Sequence, residues 1–242
     1  GVSSCGIVYV NDNYVGFTQG SHLQAEFDVT SFVKEGKNTV RVKVLKWSVG
    51  SYLECQDFFR MNGIFRDCYV LQRPFDHVTN LDVIARDGKI CVNAGKEMVA
   101  SLYDVNGDFL AEQSGEKVEF AVENPIFWSP EKPKLYAVKI ERDGEIITQK
   151  TAFRTIAVSN ENELLINGVP VKLYGVNHHD THPVNGWSQT DDELMADLLL
   201  MKKLNINTIF LIFFFNIFWL KSFFSRPSSL CYSHPFPLIS SC

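Results

Sequence analysis

Val171-Lys172-Leu173-Tyr174-Gly175-Val176 runs straight into Asn177-His178-His179-Asp180-Thr181-His182. A loop further on, Thr190-Asp191-Asp192-Glu193 heads a segment ending at Leu204. The first six residues form a short apolar run, suited to a strand buried on both faces. Thr190 can accept from first-turn amides while Glu193, three residues on, reaches back to it, which is a capping box. Leu194, Leu198 and Met201 fall at helical spacing on one face, and Lys202 and Lys203 suit the negative end of the helix dipole. The spacing therefore predicts a helix from Asp191 to Leu204, and Asn205 to Ile209 then begins another strand. Strand, loop, helix, strand is the opening unit of an α/β barrel.

Downstream the chemistry changes within one residue. Phe210-Leu-Ile-Phe-Phe-Phe-Asn-Ile-Phe-Trp-Leu220 leads into a Ser/Pro/Cys tail with no acidic residue. The apolar run is broken by Asn216 and closed by Lys221, and is shorter than the roughly 20 apolar residues of a spanning helix. The expectation is a barrel interrupted in mid-domain, with residues 210–242 an anomalous tail. In that case the helix lacks a surface on which to pack its apolar stripe.

Upstream, but within residues 158–209, Asn167-Gly168 makes a turn between Leu164–Asn167 and Val169–Tyr174. Residues 74–157 carry short strands at sandwich spacing: Val78–Ala85, Lys89–Val92, Met98–Tyr103, Phe109–Gln113, Lys117–Val122, Leu135–Arg142 and Glu145–Phe153. Asp87-Gly88, Asn106-Gly107 and Asp143-Gly144 supply turns, and the size fits an immunoglobulin-like sandwich. Residues 1–73 are also β in pattern. Asn11-Asp12-Asn13 separates Ile7–Val10 from Tyr14–Thr18 as a hairpin signal, and Val40, Val42 and Val44 alternate with Arg41 and Lys43.

Composition narrows the function. Hydrophobic content is 45%, charged content 21% and net charge -5 over 242 residues, an ordinary globular balance. A mildly acidic chain with scattered Lys and Arg offers no footprint for nucleic acid or an anionic membrane. The six cysteines form no C-x-x-C pair, no N-x-S/T acceptor occurs, and no signal peptide opens the chain. A reducing, cytoplasmic compartment is expected, and position 1, a glycine, suggests that the natural N-terminus lies further upstream.

Two clusters could carry chemistry. At the C-terminal end of the predicted first barrel strand, three imidazoles and a carboxylate in six residues could bind metal, hydrogen-bond a polyol, or form a plain polar loop. Metal needs three or four converging ligands, and the helical H-E-x-x-H spacing is absent. The second cluster runs from Trp47 through Val49, Glu54, Cys55 and Asp57 to Arg60 and Gly63-Ile-Phe-Arg-Asp67. Rings beside carboxylates can line a sugar site. Alternatively, Arg60, Arg66, Glu54 and Asp57 form ion pairs between the first β domain and the barrel, the preferred reading for the arginines.

Gly50-Ser-Tyr-Leu-Glu54, Gln56-Asp57, Arg60, Gly63-Ile-Phe-Arg-Asp67, Glu123-Asn-Pro125, Leu135-Tyr136, Phe153-Arg154 and Gly175-Val-Asn177 resemble the large β-galactosidases of glycoside hydrolase family 2. The resemblance implies a mainly β architecture: a jelly-roll sugar-binding domain, an immunoglobulin-like β-sandwich, and the first strand-helix unit of a truncated (β/α)8 barrel. It further implies retaining hydrolysis of terminal β-D-galactosides, Mg2+ and Na+ in the full-length enzyme, and a homo-oligomer. His179 matches a histidine that hydrogen-bonds galactose, so Asn177, His179 and Asp180 are the implied substrate-binding residues. Asp180 stands where the family has Glu, His178 where it has Arg, and Val49 where an Asp contacts sugar and sodium.

Beyond Ile209 the family pattern stops, and with it both glutamates of the mechanism. Retaining glycosidases need two carboxylates about 5–5.5 Å apart, and no catalytic residue is expected here. The chain reads as an incomplete β-galactosidase, inactive alone. The alternative is a non-catalytic carbohydrate-binding or scaffold module.

Overall fold

A computed structural model describes residues 1–54, 59, 61–211 and 217–219. Cys55, Gln56, Asp57, Arg60, Asn216 and the tail from Leu220 onward, all singled out in the sequence, lie outside the described residues. Two compact units form. The first takes residues 1–72 and 177–200, the second 73–176 and 201–209.

The first unit opens with β1 (Val2–Ser3), β2 (Cys5–Val10) and β3 (Asn13–Gln19), then β4 (Val40–Leu45), a short helix α1 (Val49–Leu53) and β5 (Gly63–Ile64). β2 is the centre of an antiparallel sheet in the order β3-β2-β4, and β1 pairs with β5. The expected hairpin is present. Val10 pairs with Asn13, and Asn11 and Asp12 both take positive φ, the type I′ geometry whose twist suits joined strands. Asn11 also bonds outward. Its Nδ2 donates to Phe32 O (3.0 Å) and its Oδ1 accepts from Thr39 N (3.0 Å), tying the hairpin tip to the approach of β4. On β4, Val42 and Val44 are half-buried and Arg41 and Lys43 exposed, as the alternation predicts, although Val40 is exposed.

The second unit contains β6 (Asp82–Arg86), β7 (Lys89–Tyr103), β8 (Phe109–Ala121), β9 (Tyr136–Arg142) and β10 (Glu145–Thr151). Four predicted short strands are here two long ones. β7 pairs with β6 through its first half and with β9 through its second, while β8 follows it along both. The register slips between Asn93 and Met98. A polar, glycine-bearing gap reads as a turn in sequence, but a bulge bends one continuous strand with the same residues. Ile90, Val92 and Ala94 from the first half and Met98, Ala100 and Leu102 from the second enter one core with Phe120, Tyr136, Val138, Ile140 and Phe153. Tyr136 adds a polar anchor, its hydroxyl accepting from Ile126 N (2.9 Å), and stacks edge-on against Phe153. Arg73 pairs with Glu145 (2.5 Å), whose other oxygen accepts from Val78 N (3.1 Å).

Next come β11 (Ile156–Val158), β12 (Leu164–Ile166), β13 (Val169–Pro170), β14 (Gly175–His178), α2 (Asp191–Lys203), β15 (Thr208–Leu211) and β16 (Ile217–Trp219). β11, β12 and β13 form a small antiparallel sheet with the expected turn at Asn167-Gly168. The capping box on α2 is made: Glu193 Oε2 accepts from Thr190 N (2.8 Å) and Thr190 Oγ1 from Glu193 N (3.3 Å).

Two expectations are corrected. The first barrel strand is Gly175–His178 rather than Val171–Val176, and Leu173 and Tyr174 are exposed rather than buried on both faces. The physical reason is Asn207. Its Oδ1 accepts from Tyr174 N (2.8 Å) and its Nδ2 donates to Lys172 O (2.9 Å), so a side chain occupies the backbone positions that a ladder would use. Tyr174 O accepts from Asn207 N and Thr208 N. The second correction concerns α2, whose apolar stripe does find cover: Leu198 is 2% exposed, with Leu194 and Met201 half-buried.

Candidate functional site

Asn177 and His178 lie in the last two positions of β14, and His179 and Asp180 follow immediately. Strand geometry alternates side chains between faces. Asn177 is accordingly exposed and His178 nearly buried, its side chain 10% accessible. His178 faces two carboxylates. Nδ1 lies 3.2 Å from Asp180 Oδ1, and Nε2 lies 3.3 Å from Asp197 Oδ2 on α2. The bond to Asp180 raises the His178 pKa above its ordinary value; burial works against that, and the bond to Asp197 adds to it.

The loop that follows is tied to the same helix face. His182 and Gly186 exchange backbone bonds (2.8 and 2.9 Å), closing a small loop in which Gly186 takes φ +56°. Asn185 Nδ2 donates to Glu193 Oε1 (2.6 Å) and Gln189 Nε2 to Asp197 Oδ2 (3.1 Å). Glu193 and Asp197 stand four apart, one turn along α2, so they share a face. Trp187, 5% exposed, packs its ring 5.3 Å from Phe65 and 5.7 Å from His22. Burial, and after it the charge of Arg66, hold the His22 pKa below its ordinary value.

The second predicted cluster resolves differently. Glu54 accepts from Ser21 N (3.1 Å) and Ser21 Oγ (2.6 Å). Arg66 donates to the carbonyls of Trp187 and Phe65, while Asp57 and Arg60, the other members of the expected ion pairs, lie outside the described residues. Val49 lies in α1, 69% exposed. Ser4, Ser48 and Ser51 share hydroxyl bonds at the start of α1, with Ser48 N donating to Ser51 Oγ (3.0 Å). A shallow groove runs beside them, lined by Lys46, Trp47, Glu54, Phe59, Asn62 and Trp187. Aromatic faces beside a carboxylate and an amide are the surface chemistry of sugar recognition.

The structure thus brings His178 and Asp180 together, and sets His179 between them. It adds Asp197, which the sequence reading missed. A signal was available: an acid beside Leu194 and Leu198, on the apolar face of an amphipathic helix, needs a partner. Trp187 and Ser21 gave no such signal.

Three consecutive family models match this architecture: "Glycosyl hydrolases family 2, sugar binding domain" over residues 1–74, "Glycosyl hydrolases family 2" over 77–154, and "Glycosyl hydrolases family 2, TIM barrel domain" over 156–211. With a β-sandwich between a jelly-roll portion and the opening of a barrel, the chain belongs to glycosyl hydrolase family 2. Among its relatives, the β-galactosidase of Staphylococcus xylosus is 42% identical over 221 residues, covering 86% of this chain and 22% of the relative. The β-galactosidase of Actinobacillus pleuropneumoniae is 38% identical over 250 residues, covering 99% of this chain and 24% of the relative. The chain therefore spans about a quarter of the length of these relatives. Solved structures share the fold. A β-glucuronidase from Ruminococcus gnavus in complex with D-glucaro-d-lactam superposes with a TM-score of 0.73 at 23% identity, over 86% of this chain and 41% of the other. One from Faecalibacterium prausnitzii gives 0.71 at 18%, over 86% and 42%.

Proposed function

We propose that this chain forms the sugar-binding and barrel-opening part of a β-galactosidase, acting on terminal non-reducing β-D-galactosides with retention. The carrying observation is its 42% identity to a β-galactosidase across 86% of its length. In this reading the domain boundaries fall at 73, 157 and 209. Asn177, His179 and Asp180 line the glycone site. Their place at the C-terminal end of a barrel strand supports this, since that face carries the chemistry in such barrels.

The catalytic step is assigned to no residue of this chain. A retaining mechanism needs a nucleophile and an acid/base, and Asp180 already accepts from His178 while Glu54 accepts from Ser21. Mg2+ and Na+ are implied by the family resemblance for the full-length enzyme. The Val49 side chain offers no oxygen, and among the described residues no group of three or more His, Cys, Asp or Glu could hold a metal ion. No step is assigned to either ion. A cytoplasmic location is supported by the free thiols of Cys5, Cys68 and Cys91. No described helix is long and apolar enough to cross a membrane. A homo-oligomer is part of the same reading, on the family resemblance.

The test uses the purified 242-residue chain and a β-galactoside. Addition of sugar should shift the NMR signals of Asn177, His179 and Asp180, while a chromogenic galactoside remains uncleaved. Shifts confined to residues 1–156 would favour a binding module. Turnover lost in His179→Ala would overturn the non-catalytic assignment.

A further inference from the structure

Neutral imidazole has one N–H and one lone pair, and only imidazolium donates from both nitrogens. At His178 each nitrogen faces a carboxylate oxygen, Asp180 Oδ1 at 3.2 Å and Asp197 Oδ2 at 3.3 Å. In the neutral ring one of those contacts becomes lone pair against anion. The two acids come from different elements, the turn after β14 and the second turn of α2. The ring between them is nearly buried, where water does little to screen the contacts.

His182 makes the contrast. Its Nδ1 lies 3.2 Å from Glu193 Oε1, yet the same nitrogen accepts from Val184 N and Asn185 N (both 3.3 Å). Three groups therefore converge on one nitrogen of His182, whereas at His178 each nitrogen faces its own carboxylate. The charged groups facing His178 are thus Asp180 on its own turn and Asp197 on α2. Asp180 lies also in the field of His22, which Arg66 and Glu54 share.

We propose that His178 is a positioning residue: as an imidazolium shared by Asp180 and Asp197, it fixes the His179–Asp180 turn onto α2. The turn is held only while both ring nitrogens carry protons. The link to sugar binding rests on the reading given above; the clamp itself does not. The raised pKa of His178 agrees with this geometry. Because the folded value is raised, the stabilisation is complete below the ordinary value of 6.5 and is lost as pH rises through the folded value.

The experiment is 15N-resolved NMR of the histidine rings in the full chain, titrated from pH 5 to 9. His178 should show two protonated nitrogens beyond the pH at which an ordinary histidine loses one, and Asp197→Asn should bring its titration back toward the ordinary range. In parallel, the thermal midpoint of the wild-type chain should fall over that range more steeply than that of His178→Arg, which keeps its charge. A single neutral tautomer at His178 at pH 6, or an unchanged titration in Asp197→Asn, would overturn the proposal. Calorimetry with a non-hydrolysable β-thiogalactoside separates the two readings. Its Kd should rise by up to about tenfold per pH unit once His178 deprotonates, the limit for one linked proton. An intact clamp with no sugar binding at any pH would refute the sugar reading and leave the clamp standing.

Discussion

The sandwich and the barrel-opening segment are held by opposite means. In the sandwich, interior residues from β7, β8 and β9 are almost completely buried: Ile90, Val92, Ala100, Leu102, Phe120, Val138 and Ile140. Around β14 and α2, apolar residues such as Leu173, Tyr174, Leu199, Leu200 and Leu204 are exposed. There the work falls to polar tethers: Asn207 on Lys172 and Tyr174, His178 on Asp180 and Asp197, Asn185 on Glu193. Periodic burial fixes the first region with many small, redundant contacts. The second depends on a few directional bonds, and each can be removed singly.

The sharpest break of that comparison is Phe120→Ala against Leu204→Ala. Phe120 is fully buried in the sandwich core, and its truncation should cost about 3–5 kcal/mol. Leu204 is exposed beyond the end of α2, and its truncation should stay within about 0.5 kcal/mol. Urea unfolding followed by circular dichroism reads both. Equal losses would mean that the two regions share one core.

Glu145 tests whether the sandwich also relies on a tether. It accepts from Arg73 and from Val78 N with its side chain 12% accessible. Glu145→Ala leaves a buried amide without its acceptor and should cost about 1–3 kcal/mol. Burial alone pushes the Glu145 pKa up, but the Arg73 and Val78 bonds outweigh it and hold the group below its ordinary value. The stabilisation is therefore complete above that ordinary value and is lost as pH falls through the folded one. The acid limb of the stability curve should flatten in the variant. An unchanged limb would remove Glu145 from the account.

Legibility in the sequence follows the same divide. Alternation across Val40, Val42 and Val44, the strand at Leu135–Arg142, the Asn11-Asp12-Asn13 hairpin signal and the Thr190/Glu193 box all act over a few neighbouring residues, and each was readable. The fusion of β7 was not, because a bulge and a turn use the same residues near Gly95. The start of β14 was misplaced because an apolar run does not announce that Asn207, 33 residues away from Tyr174, will take its backbone bonds. The candidate cluster was readable only in part. Strand-end position marked Asn177, His179 and Asp180, whereas the roles of His178 and Asp197 depend on a contact across 19 residues. Local pattern cannot reveal such pairings.

Gly186 should show a smaller effect within the tethered region. Its φ of +56° favours glycine, and a Cβ there would meet Met61 Sδ at 3.2 Å. Gly186→Ala should cost about 1–2 kcal/mol and alter the fluorescence of the adjoining Trp187. A native emission spectrum with unchanged stability would show that the loop yields freely.

A smaller loss than at Gly186 is expected at the helix cap. Thr190 Oγ1 accepts from Glu193 N, and replacing it with alanine removes that acceptor while leaving the Glu193 carboxylate to bond Thr190 N. Such a cap contributes about 1 kcal/mol. Global unfolding is a poor place to look for it if the sandwich dominates the transition. Hydrogen exchange is better, because local opening of α2 should report the full loss even when the core stays closed. Thr190→Ala should therefore speed exchange of the first-turn amides about fivefold, the kinetic equivalent of that free energy, and leave the amides of β7 and β9 unchanged. Faster exchange in both places would mean that the helix and the sandwich open as one, and the distinction between a packed region and a tethered one would fail.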